Sequence, residues 1–470
     1  MTEFKRSLSL LDAVMLVSGS MIGSGIFIVS AGMMRELGSP QWMLVAWLVA
    51  GALTVMAALC YGELAGMMPK AGGQYVYIQR AFGPLPAFLY GWTVFTVIQT
   101  GVIAAVAVAF AKFTAVFFPA LGPEHVLLHL GAFEVNAAQL FAIASIIVLT
   151  AINARGVRNG KTLQTLFTLA KIIALLALII IGLALGSGRP ILAENFAQGW
   201  NAVSLVKDAH GAETLTPLLG MALVSALGVA MVGSLFSSEA WNNVTFIAGE
   251  IKDPQRNIPR SLFLGTAIVT TLYVLANLAY LALLPTYDIQ HAAADRVGTA
   301  AASLIFGDAA AYIMAALIMV STFGCNNGII LAGGRLYYAM AKDGLFFRKA
   351  GLLNRAAVPG FALWIQCAWA CALCFSGTYG ELLNYVTFAS LLFYIVTVLG
   401  LLKLRRTEPE AERPYRVLGY PWMPALYVLC AAAFCINLLI AQPLWTVSGL
   451  VIVGIGGIVY AVRSAFGASA

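Results

Sequence analysis

Apolar residues run along this chain in long uninterrupted stretches, and polar residues collect in short gaps between them. A helix needs about 20 mainly apolar residues to cross the hydrocarbon core of a bilayer. Twelve stretches meet that need, approximately Leu10–Met34, Trp42–Met67, Leu85–Phe118, Ala137–Ile152, Thr162–Gly186, Pro217–Ile247, Leu262–Leu284, Thr299–Met340, Val358–Phe375, Leu382–Leu402, Trp422–Ile440 and Leu444–Val462. None alternates with a period of two, which excludes a transmembrane β-barrel. The eighth is too long for one simple span and is expected to begin with an interfacial piece. The first follows Lys5 and Arg6 as a signal peptide would. Its apolar region is too long and it lacks a convincing small-x-small cleavage site, so it reads as a retained helix.

Composition narrows the class further. Of the 470 residues, 61% are hydrophobic and 10% charged, against about 45–50% and about 25% in soluble domains. So little polar side chain cannot clothe several soluble domains, and the chain reads as one all-α membrane domain. With both termini inside, the inner gaps receive Lys5, Arg6, Lys70, Arg80, Arg155, Arg158, Lys161, Lys252, Arg256, Arg260 and every basic residue from Arg335 to Arg463. The outer gaps receive only Arg35, Lys112, Arg189, Lys207 and Arg296. That bias sets cytoplasmic termini and reads the net charge of +7 as a topology signal, with no nucleic-acid partner. His125, His129, His210 and His291 all fall in outer gaps, and all seven cysteines fall in apolar stretches. Cys367, Cys371 and Cys374 share a helical face but lack the polar ligands that thiolate metal binding needs. Neither a metal nor a cofactor is expected.

Two stretches are interrupted near their middles. The first carries Ser18-Gly19-Ser20-Met21-Ile22-Gly23-Ser24-Gly25-Ile26-Phe27. Its glycines fit close helix packing through small-xxx-small spacing. They also fit a break whose half-helix N-terminus offers N–H groups to a carboxylate. The sixth carries Gly233-Ser234-Leu235-Phe236-Ser237-Ser238-Glu239-Ala240-Trp241-Asn242-Asn243. Paired interruptions in corresponding helices of two halves point to a secondary transporter with an inverted repeat. Repeat one would span about 10–186 and repeat two about 217–402, with appended helices at about 422–462. Such a site suits a zwitterion, with N–H groups for an anion and freed carbonyls for a cation.

The stretch Gly19–Phe27 resembles the first-helix motif of the amino acid–polyamine–organocation superfamily. Ala58-Leu59-Cys60-Tyr61-Gly62-Glu63-Leu64 and Lys70-Ala71-Gly72-Gly73-Gln74-Tyr75-Val76-Tyr77 are similar to its L-type amino acid transporter branch. So are Trp241–Phe246, Glu250–Pro259 and the Glu-Pro-Glu-Ala-Glu-Arg-Pro core of Leu402–Val417. The resemblance implies a LeuT-like 5+5 fold with 12 transmembrane helices, helices 1 and 6 discontinuous, and alternating-access transport of amino acids, commonly by exchange. It implies that the backbone of Ser24, Gly25 and Ile26 binds the substrate carboxylate. Carbonyls of Met21, Phe236 and Glu239 would take the ammonium, with Ile22, Gly23, Ser237 and Ser238 beside them and Phe236 as an aromatic gate. Animal heteromeric members carry a cysteine in the loop after span three that links to a glycoprotein subunit. Pro119–Asn136 has none, so no disulfide-linked heavy subunit is expected.

Two charges fall at depth, where a carboxylate costs on the order of 2.5–3.5 kcal/mol on translocon scales. Glu239 would attract a cationic side chain such as that of arginine, lysine or ornithine, act as a proton-coupling acid, or pair with a neighbour or inner water. Lys171 would snorkel to the inner surface or approach the first break and replace a sodium ion, as the resemblance favours. Gln99, Thr100, Cys325, Asn326 and Asn327 either line the cavity or bridge helices. Glu63 and Glu250, near inner span ends, are expected to pair with basic loop residues as an inner gate. The reading is a sodium-independent amino acid exchanger of the inner (plasma) membrane, leaning toward basic substrates. A proton-coupled or neutral-substrate transporter and a non-transporting sensor are the alternatives. An enzyme is excluded for want of a catalytic constellation at depth.

Overall fold

The computed structural model describes residues 4, 6–130, 133–197, 199–207, 213–375 and 379–467. Lys5 and His210, used in the topology reading, lie outside the described residues. The chain folds as helices α1 (Leu10–Met21), α2 (Gly25–Leu37), α3 (Pro40–Met67), α4 (Gln74–Phe82), α5 (Pro84–Thr93), α6 (Gln99–Thr114), α7 (Ala137–Ala154), α8 (Val157–Gly186) and α9 (Ile191–Ala197). It continues as α10 (Met221–Ser237), α11 (Asn243–Phe246), α12 (Pro254–Leu283), α13 (Thr286–Gln290), α14 (Val297–Phe306), α15 (Ala310–Lys342), α16 (Gly360–Leu373), α17 (Tyr379–Thr407), α18 (Trp422–Ala441) and α19 (Pro443–Gly467). Among the described residues nine helices are long and apolar enough to cross a membrane, or ten when the bent pair α1 and α2 counts as one. The twelve expected stretches thus divide unequally, because α10 and α16 are apolar but shorter.

Local chemistry sets several boundaries. Ser9 caps α1 in a reciprocal box with Asp12, and Asn136 caps α7 in the same way with Gln139, so two orphan donors are satisfied at each start. Ser39 caps α3 ahead of Pro40 at its first position, where a missing N–H costs nothing. The expected long eighth stretch is two helices, with Gly307 at φ 58° ending α14 before α15. Between α5 and α6 the chain forms one π-helical turn, Val94–Ile98. Two antiparallel hairpins, Val126–Leu130 with Phe133–Asn136 and Val203–Lys207 with Glu213–Pro217, were not anticipated. They occupy long gaps between helices.

The two interrupted helices lie at the centre. Helix α1 packs on α8, α12 and α15, and α2 packs on α10. Helix α3 lies along α12, while α18 and α19 pack on α17. Gly19 supplies close packing: a Cβ there would stand 2.0 Å from Thr168 Oγ1 and 2.2 Å from Gln164 Nε2. Gly23 instead falls in the interruption and meets only Cys325 Sγ, at 3.5 Å. Close packing therefore occurs at Gly19, while Gly23 lies between the two helices.

Candidate substrate site between two helix breaks

Helix α1 stops at Met21, Ile22 turns extended, and α2 starts at Gly25 with the axis bent by 42°. A helix end leaves carbonyls without partners, and in a dry interior each must find a donor. Here every carbonyl from Gly19 to Gly23 accepts from a side chain of another helix. Lys171 Nζ of α8 donates to Gly19 O at 2.5 Å and Ile22 O at 2.6 Å, with Ser321 O at 3.3 Å. Cys325 Sγ donates to Ser20 O at 2.9 Å. Tyr273 Oη of α12 reaches Met21 O at 3.0 Å. Ser321 Oγ of α15 lies 3.0 Å from Ile22 O and 3.1 Å from Gly23 O. Lys171 does not snorkel; its three N–H groups meet three carbonyls.

The second break starts where α10 ends at Ser237. Ala240 follows at φ 69°, a left-handed conformation rare for a residue with a Cβ. Tyr273 Oη also lies 3.0 Å from Ser237 O, so one hydroxyl ties the two breaks together. Gly25 allows that approach, since a Cβ there would stand 2.2 Å from Ser237 Oγ. Ser237 and Ser238 were expected to face the substrate. In this closed conformation their hydroxyls donate to Gly233 O at 2.7 Å and Ser234 O at 2.9 Å, the i−4 back-bond that serine finds inside a helix.

Glu239 is buried and accepts from Tyr394 Oη at 2.5 Å. It borders two small cavities. The first is lined by Gln74, Tyr90, Gln99, Asn242, Ser390 and Tyr394 together with apolar residues of the π-helical turn. The second lies between α3, α10, α17 and α18, with Thr54, Ser238, Thr387 and Tyr427 around it. Free central volumes of about 10 and 20 Å³ are roughly one water each, so this conformation is closed around the carboxylate. Ser24, Gly25 and Ile26 are buried and line neither cavity, nor does Phe236.

The other polar candidates divide. Gln99 lines the first cavity while its Nε2 donates to Ile329 O at 2.7 Å. Asn326 does not line it; its Nδ2 donates to Ile103 O at 3.2 Å and joins α15 to α6. Asn327 bridges α15 to α8 through Gly160 O and Gln164 Oε1. Thr100 Oγ1 closes on Phe95 O at 2.7 Å. Sequence reasoning missed Tyr273, Tyr394 and Ser321 altogether. Gln74 and Asn242 stood within quoted motifs, and here they bond each other at 2.9 Å. Among the described residues no cluster of three or more His, Cys, Asp or Glu could hold a metal.

Ion pairs tie both ends of the bundle. Glu63 takes Arg405 at 2.7 Å through both oxygens and Arg413 at 3.2 Å. Glu250 pairs with Arg335 at 2.9 Å in full burial. Arg405 and Arg335 belong to helices α17 and α15, so the expected loop partners are corrected to helical ones, with Arg413 alone in a loop. Leu8 N donates to Glu250 O at 3.0 Å and Lys252 N to Leu8 O at 2.9 Å, which straps the N-terminal segment across this end. On the same side Arg80 holds the Glu408 carboxyl below its ordinary range through a hydrogen bond. At the opposite end Arg35 meets Asp295 at 2.8 Å, and Gln290 Nε2 donates to Met34 O at 3.1 Å.

A family model described as amino acid permease matches residues 8–461. The chain belongs to the amino acid permease family. Among curated relatives, the mouse b(0,+)-type amino acid transporter 1 is 29% identical over 466 residues, covering 98% of this chain and 88% of the relative. Human large neutral amino acids transporter small subunit 2 is 30% identical, covering 97% and 80%. Mouse Asc-type amino acid transporter 1 is 27% identical, covering 96% and 79%. Membership makes the chain a multi-pass membrane protein of the L-type branch and not an enzyme.

Proposed function

We propose that this permease is a secondary active, sodium-independent amino acid exchanger that works by alternating access and favours basic substrates. The observation that carries the substrate lean is Glu239, a buried carboxylate at the second helix break, bordering a cavity lined by neutral polar and apolar residues with no other charged group. A cationic side chain entering that cavity would bring a counter-charge to the Glu239 carboxylate, whereas a neutral side chain would leave that buried carboxylate unpaired. The zwitterionic end would take the backbone N–H groups of Ser24, Gly25 and Ile26 and the carbonyls of Met21, Phe236 and Glu239 once the closed contacts separate, with Phe236 as the gate. Sodium independence is supported by Lys171, whose ammonium stands among Gly19 O and Ile22 O, where a coupling cation would need ligands.

In this reading α1 with α2, and α10 with the segment through α11, are discontinuous spans. Together with α16 they complete twelve, arranged as repeats at about 10–186 and 217–402. The basic residues place both termini in the cytoplasm. The absence of cysteine from Pro119–Asn136 supports a chain without a disulfide-linked subunit, and a non-reducing gel of the native protein should show no thiol-dependent shift. Counterflow in proteoliposomes with a labelled amino acid panel tests the function. Basic amino acids should exchange faster than neutral ones, and Glu239→Gly should abolish that preference. An unchanged preference in Glu239→Gly, or uptake that demands sodium at fixed potential, refutes the reading.

A further inference from the structure

A third cavity lies away from Glu239. A space of about 430 Å³ opens between α5, the end of α15, the segment 345–347 and the end of α19. Its walls are apolar, including Phe88, Trp92, Phe95, Met340 and Phe346, and its one charged lining residue is Arg463. The walls are fixed by contacts of their own. Trp92 Nε1 donates to Ile452 O at 3.0 Å. Phe95 is edge-on to Tyr337 and Phe346, each with ring centres 5.4 Å away. The cavity is therefore built rather than a gap left by loose side chains.

Its rim is basic. Arg463 is exposed, and no ion pair holds it among the described residues. Lys342, Arg348 and Lys349 stand at the adjoining end of α15 and in the turn beyond it. The neighbouring acid Asp343 already accepts from Tyr75 Oη at 2.9 Å. An apolar cavity with a guanidinium at its rim, at a basic membrane boundary, matches an amphiphile with a phosphate head. We propose that it binds an anionic phospholipid, with acyl chain between Phe88, Trp92 and Phe346 and headgroup phosphate on Arg463.

The cavity shares a wall with the site of Glu239. Phe95 belongs to the π-helical turn Val94–Ile98, whose Val94 and Ile98 line the first cavity beside Glu239. Such turns are weak points of a helix, often placed at functional sites. Trp369 Nε1 captures the Thr96 carbonyl in this turn at 3.1 Å. A lipid packed on Phe95 holds the turn from outside, so occupancy supports transport; this last clause alone rests on the transporter reading above.

The test is lipid retention by the purified full-length protein in native mass spectrometry, with phosphatidylglycerol and phosphatidylethanolamine as probes. Wild type should retain the glycerol lipid preferentially. Arg463→Gln should weaken that retention about fivefold, the effect of one basic residue at an anionic surface, and weaken phosphatidylethanolamine retention less, because its own ammonium offsets the phosphate charge. Leu345→Trp, which fills the cavity, should lose both; if it fails to fold, exposed Arg463→Gln decides alone. Equal phosphatidylglycerol retention in Arg463→Gln and wild type, or capture of inorganic phosphate without lipid, overturns the proposal. Counterflow should rise with the phosphatidylglycerol fraction in wild type and not in Arg463→Gln. A protein that retains the lipid but transports nothing would sink the transport reading while leaving the lipid site standing.

Discussion

Tyr273→Phe is the most informative single change, because it removes one oxygen and disturbs both breaks. The Tyr273 hydroxyl lies 3.0 Å from Met21 O and 3.0 Å from Ser237 O. It has one proton to share between two carbonyls, and the ring itself is fully buried with Trp47 edge-on at 5.3 Å. Phenylalanine keeps that packing, so the loss is polar. A buried acceptor left without a donor costs about 1–3 kcal/mol, and polar contacts inside membranes average only about 0.6. A net loss of about 1–1.5 kcal/mol is therefore expected, which is a factor of about five to twelve in a two-state population. The tie sets the spacing of the two helix ends that, in the function proposed above, the substrate touches together. Loosening it lowers the fraction of molecules with the site in register, and apparent affinity falls with that fraction. Half-saturation in counterflow should rise about five- to twelvefold with the maximal rate changed much less, and the detergent melting temperature should drop. Unchanged half-saturation and melting in Tyr273→Phe would show that the hydroxyl does not register the breaks.

Lys171→Met strips Gly19 O of its side-chain donor while Ile22 O keeps Ser321. It should cost about 1–3 kcal/mol and abolish exchange, read as a lower melting temperature and a flat counterflow trace. Ala240, at φ 69°, should tolerate glycine with little change, whereas Ala240→Val should destabilise by about 2 kcal/mol or more, since a β-branched residue is strained there. Glu250→Leu or Arg335→Met alone leaves a buried charge unpaired and should cost about 3–5 kcal/mol, while the double variant should cost less than the sum of the singles. Melting of all three proteins checks it, and additive losses would mean the pair is not coupled.

The legible parts of the molecule were those with a local signature. Long apolar stretches marked most spans, and clustered glycines and a Ser-Ser-Glu-Ala-Trp-Asn-Asn run marked the breaks. A lone lysine in an apolar run marked a charge at depth, and only the family resemblance favoured the first break for it. Tyr273 and Tyr394 were invisible, because a phenol in an apolar run counts as apolar until its hydroxyl is placed. Their partners lie 252, 36 and 155 positions away, so no spacing rule could pair them. Ser237, Ser238 and Asn326 were ambiguous in the opposite sense. Each is polar in an apolar helix, and each spends that polarity on a nearby carbonyl of its own or the next helix. A polar residue at depth marks a polar need without saying whether the need belongs to ligand or to backbone.

That distinction separates the two buried charges. An ammonium has three donors, and Lys171 has three carbonyls around it at 2.5, 2.6 and 3.3 Å. Nothing is left over for a ligand that arrives and leaves, so Lys171 acts as a fixed fitting of the first break. A carboxylate offers about four acceptor positions. Glu239 accepts from Tyr394, has the Ser390 hydroxyl and the Ala240 N–H beside it, and faces a cavity on either side. Spare acceptor capacity beside a closed polar space is what a passing cation requires. The same geometry explains why Tyr394 matters: it holds the carboxylate while the space is closed and must yield or share when a substrate's charge enters. In the function proposed above, selectivity belongs to the second break, and Lys171 makes the first break a frame that needs no sodium.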